Sequence, residues 1–393
     1  MTDIFIVSGV RTAVGTFGGS LKDSPPADLA ATVTREAIAR SGLEAEAVGH
    51  VVFGQVIQTE PRDCYLSRWA AVTAGCRVET PAMNVNRLCG SGLQAVVTAA
   101  QMLKLGEAEV AVAGGAEVMS RAPYLVPGAR FGLKMGDAAM VDALTGALTD
   151  PFNCYHMGMT AENVAEAHGV DRAAQDDVAF ESHRRAAAAC RGGRFVDQIV
   201  PVEVRTRGRT VAFDRDEHIR HDARREDFDS LKPVFRRDGG TVTAGNASGI
   251  NDGAAALVLA TGTAATRAGL TPLARIVSWG HAGVDPAHMG MGPVPATRQA
   301  LERAGLAVAD LDVIESNEAF AAQACAVARA LDFDPARVNP NGSGISIGHP
   351  VGATGAINTV KAVHELRRSG GRYALVTMCI GGGQGIAAVL ERA

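Results

Sequence analysis

A stretch of nine residues that returns later in the chain constrains the fold more than any other feature. The run from Arg298 to Leu306 lies over the run from Arg35 to Leu43 at an offset of 298 − 35 = 263, with Arg, Ala, Arg, Gly and Leu in common. Residues 312–315 then follow in step with residues 51–52, both short apolar runs of strand character. Further on, a helical pattern over 352–368 and a strand pattern over 373–378 match a helix over 92–105 and a strand over 110–114. One unit is used twice, and within each copy strands alternate with helices over short connections. That pattern predicts an α/β fold whose largely parallel sheet carries helices on its faces.

The first copy is interrupted. After strands over 4–8 and 51–57, helices over 26–41 and 65–74 and a short strand over 82–85, the alternation breaks near Met119. Pro123, Pro127, Gly128, Gly132 and Gly136 follow, then a helix over about 160–191, and the buried strand pattern returns only around 241–259. Residues 119–250 therefore read as an insertion, and long insertions carry binding functions more often than they carry the fold. The expected division is 1–118 with 251–270, 119–250, and 271–393. With 393 residues, 47% of them hydrophobic, the chain is long enough for such an arrangement, since single cores stop growing near roughly 250–300 residues.

Seven cysteines (64, 76, 89, 154, 190, 325, 379) show no Cys-x-x-Cys pair and no zinc-like spacing with histidine, so neither a disulfide framework nor a metal site is expected. Two of them sit beside glycine-rich stretches, Cys89 before Gly90-Ser91-Gly92 and Cys379 before Ile380-Gly381-Gly382-Gly383. Glycines let backbone amides approach a ligand, and the start of a helix favours a thiolate. Cys89 precedes the helix of one copy; His349, in Gly348-His349-Pro350-Val351-Gly352, precedes the matching helix of the other. If the copies pack about a pseudo-twofold axis, the two helix starts meet, and a thiol meets an imidazole.

The formal charge of −4 gives no general reason to bind nucleic acid or an anionic membrane. No apolar run is long enough to span a bilayer, and the first residues carry no basic segment followed by an apolar stretch, so a cytoplasmic location is expected. Gly90 to Ala95 formally matches a dinucleotide fingerprint, but it follows a third strand and a reactive cysteine instead of closing the first strand.

These motifs together resemble the thiolases, the acetyl-CoA C-acyltransferases. The likeness runs through Arg11-Thr12-Ala13-Val14-Gly15, Asn86 to Gly92, Gly245-Asn246-Ala247-Ser248-Gly249, Asn317-Glu318-Ala319-Phe320, Gly348 to Ala353 and Cys379 to Gly383, in that order. It implies two βαβαβαββ halves with a loop domain in the first, and a reversible ping-pong Claisen condensation or thiolysis of CoA thioesters. Cys89 is implied as the acyl-accepting nucleophile, His349 as its activator and Cys379 as the acid/base for the α proton. Asn317, through a water, is implied beside His349 for the enolate, and the amides of Cys89 and Gly381 for the tetrahedral intermediate.

The same resemblance implies a CoA path along His156, Met157, Arg220, Phe235, Ala247, Ser248, Met289, Ala319 and Phe320. CoA would act as substrate and product, with no permanently bound cofactor. Nine arginines between 205 and 237 offer charge for its phosphates, and Arg220 is singled out. The wording Asn339-Pro340-Asn341-Gly342-Ser343-Gly344, with Gly54 to Asp63, is similar to bacterial β-ketothiolases that accept acyl chains longer than acetyl and feed polyhydroxyalkanoate synthesis. The alternatives are a short-chain acetoacetyl-CoA thiolase, and a non-catalytic acyl-CoA or lipid-binding member of the fold. A decarboxylating condensing enzyme is disfavoured by the second cysteine, Cys379. The family pattern implies a homotetramer, a dimer of dimers joined through a loop near 120–145.

Overall fold

The structure is a computed structural model that describes residues 2–206 and 208–393; Arg207, one of the nine arginines, lies outside the described residues. The first copy runs β1 (Ile4–Thr12), α1 (Pro26–Ser41), β2 (His50–Gly54), α2 (Leu66–Thr73), β3 (Ala82–Val85), α3 (Ser91–Leu105) and β4 (Val110–Val118). The insertion holds α4 (Met157–Ala167) and α5 (Arg172–Arg191), after which β5 (Asn251–Thr261) completes the copy. The second copy runs β6 (Ala274–Gly283), α6 (Pro293–Ala304), β7 (Val313–Ser316), α7 (Ala321–Ala330), α8 (Thr354–Ser369), β8 (Tyr373–Ile380) and β9 (Gln384–Arg392).

The same local signals set matching elements. Both α1 and α6 open on a proline in the first turn and stop at a left-handed glycine, Gly42 or Gly305. The offset of the sequence repeat recurs at three element pairs: the starts of β2 and β7, of α3 and α8, and of β4 and β8 differ by 313 − 50, 354 − 91 and 373 − 110, each 263. Along the sheet the order is β7-β8-β9-β6-β1-β5-β4-β2-β3. Reading outward from the centre, β1-β5-β4-β2 on one side answers β6-β9-β8-β7 on the other. Within the described sheet the strands of the two halves pair at two positions, Phe5 with Arg275 and Ile6 with Ala274. Beyond β7 a single parallel bridge from Ile314 to Val338 stands where β3 stands in the first half.

Three expectations change. The sheet is mixed, not largely parallel: β2 runs parallel to β3 and β4, and β7 to β8, but the last strand of each half returns antiparallel. In the second half that return is a tight turn at Gly382 and Gly383, both with positive φ. The expected helix over 160–191 is two helices, because Gly169 adopts φ 58° and Asp171 then caps α5 by accepting from the Ala174 N–H. Strand β1 continues to Thr12 because the fully buried Arg11 is neutralised: its guanidinium lies 2.7 Å from Asp216, whose carboxylate also accepts the Val14 N–H.

The insertion adds only Ile199–Val200 to the described sheet, parallel to β1. Helices α3 and α8 form the centre of the molecule. α3 packs on β2, β4 and β5, α8 packs on β5, β7 and β8, and the two pack on each other. They cross through equivalent glycines. A Cβ on Gly92 would stand 2.6 Å from the Ala356 nitrogen, and a Cβ on Gly355 would collide with the Leu93 nitrogen. Among the described residues no helix is long and apolar enough to cross a membrane.

Candidate active site

The close crossing places the loops before both helices side by side. Ahead of α3, Leu88 sits at φ 45°, a conformation that an unsupported leucine avoids. Local hydrogen bonds hold it: the Leu88 N–H donates to Asn86 Oδ1 at 2.9 Å, the Arg87 N–H donates to Ser91 Oγ at 2.8 Å, and Ser91 Oγ donates to the Leu88 carbonyl at 2.6 Å. This turn presents Cys89 to a cavity. Burial pushes the Cys89 thiol up, and the backbone N–H of Gly381, aimed at the sulfur, opposes that shift.

Ahead of α8, His349 is 4% exposed. Its Nδ1 lies 2.7 Å from Thr354 Oγ1, and that hydroxyl donates to the Pro350 carbonyl at 2.9 Å. With its one hydrogen engaged, Oγ1 accepts from Nδ1–H, which leaves Nε2 as the basic nitrogen. Burial lowers the imidazole to about 4, so it is neutral near pH 7. Asn317 Nδ2 stands 3.4 Å from Nε2, while Asn317 Oδ1 is buried without a protein partner.

Cys379, at the end of β8, is fully buried. Its thiol is pushed up first by burial and then by Cys89, so the two sulfurs are near enough to oppose each other's ionisation. A neutral base, one thiol that receives a backbone N–H and a second thiol beside it suit nucleophilic attack at one sulfur and proton transfer at the other.

A cavity of about 430 Å³ is shared by the first thiol and the imidazole, lined by Cys89, His349, Gly381, His156, Met157, Phe235, Ala247, Ser248, Met289, Ala319 and Phe320, among others. His156 caps α4 by accepting the Gly158 N–H at Nδ1, 3.0 Å away, so its Nε2 carries the hydrogen. Its ring stacks on Phe235 at 4.7 Å, and Phe235 meets Phe320 edge-on at 6.3 Å. Ala247 bridges to Phe320, and the Ser248 N–H donates to the Ala319 carbonyl at 3.0 Å, so two distant loops are fixed against each other.

Cys379 and Asn317 lie behind the wall of this cavity, and Arg220 is not part of the wall. Arg220 has an exposed side chain, and its backbone N–H donates to His183 Nδ1 at 3.2 Å. Other arginines of its stretch pair with neighbouring acids, Arg225 with Asp177 and Asp229, Arg224 with Asp227 and Arg236 with Glu166. Among the described residues no group of three or more His, Cys, Asp or Glu could hold a metal ion.

Sequence reasoning passed over two side chains that shape the site. Thr354 sets the His349 tautomer, and its signal was a hydroxyl in the first turn of the helix that follows the histidine. Glu117 accepts the N–H groups of Val56, Ile57 and Gly352, and burial raises it to about 8. An acid inside the otherwise apolar run of β4 was its signal. The aliphatic wall around Cys89, with Val56, Met119, Leu148, Ile250 and Val351, was also missed, since apolar lining carries no mark in a sequence.

Comparison with known proteins bears on this arrangement. The family model for the thiolase N-terminal domain matches residues 4–263 and that for the thiolase C-terminal domain residues 270–392. The chain is 66% identical to the beta-ketothiolase BktB of Cupriavidus necator over 99% of both proteins. It is 51% identical to an acetyl-CoA acetyltransferase of Pseudomonas aeruginosa over 100% of both. Its structure matches human mitochondrial 3-ketoacyl-CoA thiolase with a TM-score of 0.97 at 45% identity, covering 100% of this chain and 99% of that one. The same human enzyme in complex with CoA matches with a TM-score of 0.96 at 44% identity, covering 100% and 98%.

Proposed function

Because the chain belongs to the thiolase family and is an acyltransferase with the activity of a β-ketothiolase, we propose a division of labour among its residues. Cys89 attacks the thioester carbonyl and becomes acylated, its proton passing to Nε2 of His349, from which it returns when the sulfur is released, while the Cys379 thiol gives its proton to the departing CoA thiolate and is left as a thiolate. Cys379 then takes an α proton from acetyl-CoA, and the enolate carbon attacks the acyl carbon on Cys89. A carbon–carbon bond forms as the carbon–sulfur bond to Cys89 breaks. Thiolysis of a 3-oxoacyl-CoA is the same path reversed. Asn317 with His349 holds the enolate oxygen, and the amides of Cys89 and Gly381 serve the tetrahedral intermediate. The observation that carries this reading is the meeting of equivalent helix starts, which puts an imidazole and a thiol on one cavity with the second thiol behind its wall.

CoA occupies the part of the cavity walled by His156, Met157, Phe235, Ala247, Ser248, Met289, Ala319 and Phe320, with Arg220 meeting its phosphates outside. The aliphatic wall around Cys89 supports acyl chains longer than acetyl. The 119–250 segment acts as a loop domain between the halves 1–118 with 251–270 and 271–393. Tyr124, Leu125, Phe131, Met135 and Met140 are 53–102% exposed on it, which supports assembly into a dimer of dimers through this loop. Such an enzyme works in the cytoplasm. The test is direct: purified protein with acetoacetyl-CoA and free CoA removes the enolate absorbance, and no loss of absorbance defeats the reading.

A further inference from the structure

Two cavities in this protein share a wall. On the Cys89 side the site cavity is bounded by Val56, Met119, Ala147, Leu148, Ile250 and Val351, all aliphatic or thioether side chains. A second cavity of about 510 Å³ lies beyond, with Gln55, Gln58, Asn84 and Asn86 facing it beside Val85 and Leu125. Val56 and Ala147 line both. Val56 and Ala147 are therefore the residues at which the two cavities adjoin.

We propose that Val56 and Ala147 are specificity-determining residues that fix how long an acyl chain Cys89 accepts, an inference that rests on the thiolase reading of the site. A chain on Cys89 extends among aliphatic side chains until it meets this partition. Each methylene up to that point leaves water for an apolar wall and favours binding. Past the partition a chain would need to displace Val56, and it would enter a space with amide groups that give a methylene little.

Neither residue is free to step aside. The Val56 N–H is held by Glu117 at 2.9 Å. Ala147 ends a short helix, Ala143–Ala147, whose cap Asp142 accepts the Leu144 N–H at 2.9 Å. Side-chain size at these two positions therefore sets the depth.

The experiment compares kcat/KM for thiolysis of C4, C6 and C8 3-oxoacyl-CoA substrates within single preparations of the full-length protein, so that the ratios do not depend on the fraction folded. One methylene in an apolar pocket is worth roughly tenfold or more in specificity. Val56→Ala is expected to raise the C8 to C4 ratio by about tenfold, and Ala147→Leu to lower the C6 to C4 ratio by about tenfold. Ala147→Val takes the place of Ala147→Leu if the larger side chain prevents folding. A shift beyond about twofold in the expected direction for both substitutions supports the partition. Either ratio staying within that range, or moving the opposite way, overturns it. A wild-type protein that cleaves none of the three substrates defeats the thiolase reading itself, and the partition with it.

Discussion

At the scale of single residues, the site depends on which atoms hold protons. The Cys89→Ser variant is expected to form no stable acyl-enzyme with acetyl-CoA by intact-protein mass spectrometry. Cys379→Ser should still acylate yet fail to exchange the acetyl α protons in deuterated water; equal loss of acylation in both variants contradicts the assigned roles. Thr354→Val keeps the shape but removes the acceptor for His349 Nδ1–H, so kcat should fall about tenfold or more as the imidazole loses its tautomer. Thr354→Ser should restore most of that loss, an effect that packing alone does not produce. The buried imidazole also ties stability to pH. Its value in the fold, about 4, lies below the ordinary 6.5, so the unfolded chain binds the extra proton first. Stability from this group is full above about 6.5 and lost as pH falls through 4. Urea midpoints of wild type should drop across that window more steeply than those of His349→Asn. The sequence marked both thiols and the imidazole, because reactive groups beside glycine-rich loops are conspicuous. It did not mark Thr354 or Glu117, whose roles exist only through the backbone groups that folding brings to them.

At the scale of elements, the helix pair α3 and α8 was legible as a repeat, while the closeness of its crossing was not. Gly92 and Gly355 each read as ordinary helix-start glycines until the opposing backbone is in place. Gly355→Ala should destabilise by about 1–3 kcal/mol, since the opposing backbone cannot yield like a side chain. Activity should fall by more than the unfolded fraction explains, because the thiol and the imidazole ride on the two helix starts. Urea denaturation and kcat measured on the same sample check this; activity that merely tracks the folded fraction counts against the coupling. Strand boundaries failed where charge was hidden inside. The first strand was expected to end at Ser8, short of Arg11, because the partner that neutralises Arg11, Asp216, is 205 residues away and no local pattern signals that pairing. The antiparallel return of β5 was equally hidden, since the insertion separates it from its neighbour β4 in sequence.

At the scale of the whole molecule, the sheets of the two halves meet through two residue pairs, yet α8 also packs on β1, β4 and β5 of the first half. Unfolding should therefore be a single event. The two tryptophans test it, since Trp69 lies in α2 and Trp279 in β6. Fluorescence of Trp69→Phe and of Trp279→Phe should give coincident urea midpoints, and separated midpoints would show halves that melt independently. Assembly has its own check: Phe131→Asp with Met135→Asp should lower the mass measured by light scattering from four chains to two, and an unchanged mass removes the loop from the interface. The recurring offset between the copies marks the elements that they hold in common. The starts of β2 and β7, α3 and α8, and β4 and β8 are each 263 apart, whereas those of β1 and β6 are 274 − 4 = 270 apart, those of α2 and α7 are 321 − 66 = 255 apart and those of β5 and β9 are 384 − 251 = 133 apart. Length differences between the halves therefore fall before the helix starts as well as after them. The ruler is kept where the chemistry is measured, at the two helix starts, although elements before and after them have drifted from it.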